Sequence, residues 1–299
     1  MPEPPWLQID WSAHQRYIAT ASGQLNTVSL AAASEQRAPM LFIHGLGGCW
    51  ANWLEQLPVL AARRRVLALD LPGFGSSPAP RTEPITMRLY TRALIELLDS
   101  LALEQVEVVG NSMGGLLACE LALAAPERVV SLALISPAGF PLEHLAGRLR
   151  LLRPLAGAVD LAGGWIGAHA EQVARRPRLR ARLMGTVAAH PERIDGRLAA
   201  EQLRGMGKPG LAPALDSLMR HSLAGRLQAI SAPALLIWGE RDRVLPVRFA
   251  ERFAAELADP HKVILPEVGH VAMLEAPERV NALLEEHSER ALLGRALSA

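Results

Sequence analysis

The sequence predicts an α/β fold: a mostly parallel, doubly wound sheet with an antiparallel N-terminal edge and an inserted helical cap. Three observations carry this. Six short, nearly all-apolar runs cover residues 39–44, 65–70, 106–109, 129–135, 234–238 and 262–265, each closed by Gly or a turn residue. Runs of that length without alternation suit strands buried on both faces of a parallel sheet. Helical stretches separate them at 86–101, 114–125, 247–257 and 276–293, the last with Val280, Leu283, Leu284 and Ala291 at helix-compatible spacing. Residues 140–226 break the alternation, offering no strand pattern at all.

Taken in order, 7–20 and 25–32 flank Ser22-Gly23 and predict a hairpin on the sheet edge. The parallel strands and their helices then give a core made of 1–139 and 227–299. The inserted 140–226 is rich in Leu, Ala and Arg and punctuated by Pro154, Gly163-Gly164, Pro177, Pro191 and Pro209. Its charge is +7, against −6 for the rest of the chain. Arg-rich helix faces are most simply solvated, and the segment reads as a lid over the sheet edge. Its apolar side chains Leu145, Leu149, Leu152, Leu155, Val159, Trp165 and Met184 offer a surface to face the sheet.

The 299 residues are half apolar, with 31 Lys and Arg against 30 Asp and Glu. That supports a large core and excludes wholesale disorder. A net charge of +1 provides no global field for nucleic acid. Cys49 and Cys119 are too few for a disulfide framework or a thiolate zinc site, and Cys119 reads as a buried free thiol. No secretory signal is visible, and no apolar run reaches the ~18 residues of a spanning helix. The expectation is a soluble, cytoplasmic protein with no stable membrane insertion. There is no internal repeat.

The strongest chemical signal is Gly110-Asn-Ser112-Met-Gly114, set between a predicted strand and a predicted helix. G-x-S-x-G in that context places a serine on a strained turn, its Oγ above the sheet, with small neighbours where backbones approach. The helix N-terminus behind it favours developing negative charge. A serine hydroxyl needs a base, and the base an orienting carboxylate. Asp242, in Gly239-Glu-Arg-Asp242, follows one strand, and His270, in Gly269-His270, follows the next, in the order this topology demands. The expected catalytic triad is Ser112, Asp242 and His270. Glu240, two residues before Asp242, is assigned to the turn or solvent. Asp70, beside Pro72, Gly73 and Gly75, reads as a structural turn residue.

A tetrahedral intermediate also needs two N–H donors. Met113, just after the serine, supplies one, and Leu46 in His44-Gly-Leu46-Gly-Gly48 is the expected second, with His44 bracing the loop. The same glycines lack the Lys-Ser/Thr of a phosphate loop. Trp50 next to this loop is either a pocket wall or a packed residue. Trp50, Phe140, Trp165, Val244 and Val271 are the candidate substrate-binding residues. No metal-ligand spacing is present, and neither metal nor cofactor is expected.

Through His44-Gly-Leu-Gly-Gly, Asp70-Leu-Pro-Gly-Phe-Gly, Gly110-Asn-Ser-Met-Gly-Gly, Gly239-Glu-Arg-Asp and Gly269-His, the chain resembles the α/β-hydrolase fold superfamily. The resemblance covers about 24–139 and 227–284. It implies a serine carboxylester hydrolase, esterase- or lipase-like, acting on a small-molecule ester, and the apolar side chains of the lid favour a small-to-medium, neutral acyl group. Asn111-Ser112-Met113-Gly-Gly also looks like that of carbon–carbon bond hydrolases of meta-cleavage diketone acids. Those enzymes usually have a longer glycine-rich oxyanion loop and a Trp where this chain has Val271. A perhydrolase would use the same triad. From another class, a ligand receptor built on this fold is the alternative. An arginine of the cap turned inward would demand an acidic substrate.

Overall fold

The computed structural model describes residues 3–32, 37–141 and 156–298. Eight strands are present: β1 (Gln15–Thr20), β2 (Gly23–Leu30), β3 (Met40–Ile43), β4 (Val66–Leu69), β5 (Val106–Asn111), β6 (Val129–Ile135), β7 (Ala234–Gly239) and β8 (Pro260–Leu265). They form one sheet in the order β1-β2-β4-β3-β5-β6-β7-β8. β1 and β2 form the hairpin, Thr20 opposite Gly23, and β2 lies antiparallel to β4. All other pairings are parallel.

The burial pattern explains the apolar runs. Every residue of β3 to β7 is buried. Met40 and Phe42 face one layer, with Trp53, Leu57, Val280 and Leu283, while Leu41 and Ile43 face the other. A strand covered by helices on both sides has no polar face to alternate with.

The helices are α1 (Leu57–Leu60), α2 (Met87–Ser100), α3 (Met113–Ala124), α4 (Ala156–Ala168), α5 (Ala170–Ala174), α6 (Pro177–Met184), α7 (Gly196–Arg204), α8 (Leu211–Met219), α9 (Arg248–Glu256), α10 (Ala272–Glu275) and α11 (Pro277–Ser298). Thr86 starts α2 by accepting the Leu89 N–H at 3.1 Å. The helix then buries one stripe, Leu89, Ala93, Leu94 and Leu97, in the core against the sheet.

Among the described residues between β6 and β7 there are five helices, α4 to α8, and no strand. Leu145, Leu149, Leu152, Leu155, the side chain of Val159 and Arg148, Arg150 and Arg153 lie outside the described residues. Pro177 opens α6. Gly163-Gly164, expected to interrupt a helix, instead sits inside α4, where the backbone of Gly207 comes close against it.

One charged group interrupts the buried strands β3 to β7. Glu107 on β5 is 3% exposed and pairs at 2.7 Å with Arg64, itself fully buried. The Ser288 hydroxyl of α11 donates to the same carboxylate at 2.7 Å, and Glu285 holds the other side of Arg64 at 3.3 Å. The pair satisfies much of the hydrogen-bonding demand that makes buried charge costly.

Nearby on α11, burial pushes the His287 imidazole down to about 4, against a smaller opposite pull from the carbonyls of Pro233 and Leu132. Below the unfolded value near 6.5, the unfolded chain binds a proton that the folded one refuses until about 4. Stability should therefore fall as pH drops through that window, by about 3 kcal/mol between pH 7 and 4 from this group alone. Urea unfolding at both pH values should show a smaller loss for His287→Leu than for the unchanged protein. Equal losses would remove His287 as the cause.

Candidate active site

The sheet order itself creates a crevice. From β3 the chain goes to β4 on one side, then returns to place β5 on the other. Connections that leave adjacent strands in opposite directions open a gap beyond their carboxyl ends. The loop after β3 and Ser112 after β5 meet there.

Ser112 sits at φ 56°, ψ −117°, between β5 and α3. Its N–H donates to the Ile135 carbonyl at 3.0 Å, and its carbonyl accepts from Ala138 at 2.9 Å. That conformation is costly for a residue with a side chain, and both bonds hold it in place. The flanking glycines are required by contact. A Cβ on Gly110 would overlap the Gly114 carbonyl oxygen, and one on Gly114 would overlap the Ile43 oxygen. The amino end of α3 points at the same place.

Asp242 is buried, and its Oδ2 lies 2.8 Å from His270 Nδ1. Its Oδ1 accepts the N–H groups of Val244 and Leu245, both at 2.8 Å. A carboxylate fixed three ways holds Nδ1 as the donor, leaving Nε2 as the acceptor. Glu240, in contrast, is exposed and, among the described residues, accepts only the Glu267 N–H at 3.3 Å. Asp70 accepts from Asn26, Trp50 and Ser76 and so organises its own turn.

His44 is fully buried, and burial holds its imidazole below the ordinary value. Its Nε2 accepts the Leu71 N–H at 3.0 Å, while Nδ1 donates to the Gly45 carbonyl at 2.7 Å. The ring thereby ties the loop after β3 to the turn after β4. Among the described residues, neither the Leu46 nor the Met113 N–H has a protein acceptor.

Ser112, His270, Leu46 and Val271 line one cavity of about 310 Å³. Its walls are largely apolar, with Phe74, Leu183, Met184, Val187, Leu203, Met206, Leu211 and Leu274, while Asn52, Gln202 and Lys208 add polar groups. A separate hollow of about 490 Å³, between Trp6 and Arg204, contains none of the Ser112 cavity residues. Four expected substrate-binding residues are not cavity walls. Trp50 packs on Trp11 at 5.2 Å, and Phe140 is edge-on to Phe253 at 4.9 Å with the Arg252 guanidinium over its ring. Trp165, 55% exposed, stacks on His169 from the outer side of α4, and Val244 serves the Asp242 turn through its backbone. Each large side chain found a partner that the local sequence does not announce. Nor does any described arginine of the inserted segment line the cavity; Arg180 is half-buried and the other nine are exposed.

Two positioning residues carry little sequence signal. The Asn111 amide donates to the carbonyls of Ile135 at 3.0 Å and His270 at 3.2 Å, joining the serine turn to the histidine loop. Glu275 on α10 accepts from Gly269, Ala189 and His190, at 2.8, 2.8 and 3.1 Å. Burial pushes its carboxyl up, and those three N–H groups oppose the shift. Together with the His270 N–H to Val187 carbonyl bond at 2.7 Å, Glu275 fastens the histidine loop to the inserted helices. Among the described residues, no three His, Cys, Asp or Glu side chains converge as a metal would require, and no helix is long and apolar enough to cross a membrane.

A family model for the alpha/beta hydrolase fold matches residues 38–277. The dihydrolipoyllysine-residue acetyltransferase component of the acetoin cleaving system of Pseudomonas putida is 33% identical over 261 residues, 85% of this chain and 65% of that protein. The chain thus spans less than two thirds of that relative's length. The 2-hydroxymuconate semialdehyde hydrolase of Pseudomonas sp. (strain CF600) is 29% identical over 82% of this chain and 85% of its own. Among solved structures, a membrane phospholipase A described as a bacterial virulence factor is 30% identical, with a TM-score of 0.73 over 93% of this chain and 86% of that one.

Proposed function

Because the chain belongs to the alpha/beta hydrolase fold family, we propose that it is a serine hydrolase that cleaves carboxylic esters with small-to-medium acyl groups. One observation carries this reading: His270, paired with Asp242, and the strained Ser112 turn line one cavity with apolar walls. Ser112 Oγ attacks the ester carbonyl while His270 Nε2 accepts its proton. Asp242 holds the imidazolium that results. The Leu46 and Met113 N–H groups receive the charge that develops on the carbonyl oxygen. His270 then returns the proton to the leaving alcohol, and water, deprotonated by the same imidazole, releases the acid from Ser112. Helices α4 to α8 act as the cap that keeps bulk water from this step.

The apolar walls bind an acyl chain by area, at about 0.8 kcal/mol per buried CH₂ until the space is filled. Across a series of p-nitrophenyl esters, kcat/KM should rise over the first few added carbons and then fall. A flat profile, or turnover that survives loss of Ser112, would overturn the reading. A second reading is hydrolysis of a carbon–carbon bond in a meta-cleavage diketone acid, favoured by the likeness to the semialdehyde hydrolase. Turnover of such an acid tenfold above the best ester would replace the first reading with this one.

A further inference from the structure

Lys208 is the one lysine of an inserted segment that otherwise carries its positive charge on thirteen arginines. It lines the cavity that holds Ser112 and His270. No other wall of that cavity, among the described residues, is a Lys, Arg, Asp or Glu. Among the described residues, Lys208 has no ion-pair or hydrogen-bond partner for its ammonium group. Glu201, the nearest acid in sequence, is engaged by Arg204. The cavity amides are also committed: Asn52 accepts from Cys49 and donates to Gln202, whose own amide donates to the Ala51 carbonyl.

The backbone that presents this lysine is held on three sides. Gly205 lies against Gly47, its absent Cβ only 3.1 Å from the Gly47 oxygen. Gly207, at φ +70°, lies against α4, where a Cβ would overlap the Gly164 nitrogen. The Gly210 N–H donates to the Gly73 carbonyl at 2.9 Å. Pro209 further restricts the backbone of Lys208. The strap from Gly205 to Gly210 therefore crosses the loop after β3 and the turn after β4 in a fixed path. An unpaired ammonium delivered by so constrained a segment is preorganised to meet an anion.

We propose that Lys208 is a specificity-determining residue, and that the preferred substrate is an ester bearing a second, anionic group that this ammonium receives. This rests on the serine hydrolase reading and replaces the expected preference for neutral esters. Carboxylate and phosphate share the required chemistry, each offering oxygens to a point positive charge.

The test is a ratio, which cancels the amount of active enzyme. kcat/KM is measured for p-nitrophenyl hemiglutarate against p-nitrophenyl pentanoate, and for the butyrate esters of 3-carboxy-4-nitrophenol against 4-nitrophenol. In at least one pair, the anionic-to-neutral ratio should fall about 10- to 100-fold in Lys208→Met, chiefly through KM. Lys208→Arg should restore most of it, and Lys208→Glu should lower it further. Competition by acetate and by inorganic phosphate, each weakened in Lys208→Met, then distinguishes the two anions. Ratios that do not change in any variant, or that change equally in Lys208→Arg and Lys208→Met, overturn the proposal. Absence of hydrolysis of every ester, with no fluorophosphonate adduct on Ser112, would instead overturn the reading beneath it.

Discussion

Ser112→Ala is expected to lower kcat by about three to six orders of magnitude and to abolish labelling by a fluorophosphonate probe. The residual rate would come from binding and from the two N–H donors, which the substitution leaves in place. Ser112 is half-buried on the cavity wall, so a small electrophile can reach it. The turn is fixed by backbone bonds to Ile135 and Ala138 and by the Gly110–Gly114 contact, none of which uses the hydroxyl. Folding should therefore persist, and circular dichroism of the variant is the control. Intact-protein mass spectrometry reads the adduct, and a label that survives in Ser112→Ala would place the nucleophile elsewhere.

Asp242→Asn should cost up to about 10⁴ in kcat with the fold intact. The amide oxygen of the new side chain can still accept from Val244 and Leu245, as the carboxylate does at 2.8 Å. Its NH₂ would then face His270 Nδ1 as a donor, turn that nitrogen into an acceptor and put the proton on Nε2, where the base is needed. Glu240→Gln should cost less than about tenfold, since that side chain is exposed and its hydrogen bond, among the described residues, is from the Glu267 N–H. A larger loss at position 240 than at 242, in folded variants, would reverse the choice of carboxylate.

The frame of the molecule is legible in the sequence because local and global demands agree there. Strands β3 to β7 are nearly all apolar since they are covered on both faces, and the glycines around Ser112 are forced by backbone contact. Ser112, Asp242 and His270 stand in the turns that follow β5, β7 and β8. The cavity walls are not legible. Phe140 and Trp165 look alike as large apolar residues near a lid, yet one joins an aromatic cluster in the core and the other faces outward. Which side of a helix meets the cavity depends on partners far along the chain. Glu275 gives no pattern because the three groups it accepts from are all backbone N–H. Lys208 does leave a trace, a single lysine among arginines. Its placement, however, needs the glycine contacts at Gly47, Gly73 and Gly164, and the first two of these belong to the opening third of the chain.

The Arg64–Glu107 pair has a consequence for how the chain is made. Both residues emerge from the ribosome well before α11, and Ser112 directly follows β5. Their covering groups, Glu285 and Ser288, emerge much later, Ser288 181 residues after Glu107. Until α11 arrives, the nascent sheet holds an ion pair that must stay hydrated, so its central strand cannot close against a dry layer. Completion of the half next to Ser112 thus waits for α11, and the chain keeps an open, wet flank until that helix has been made.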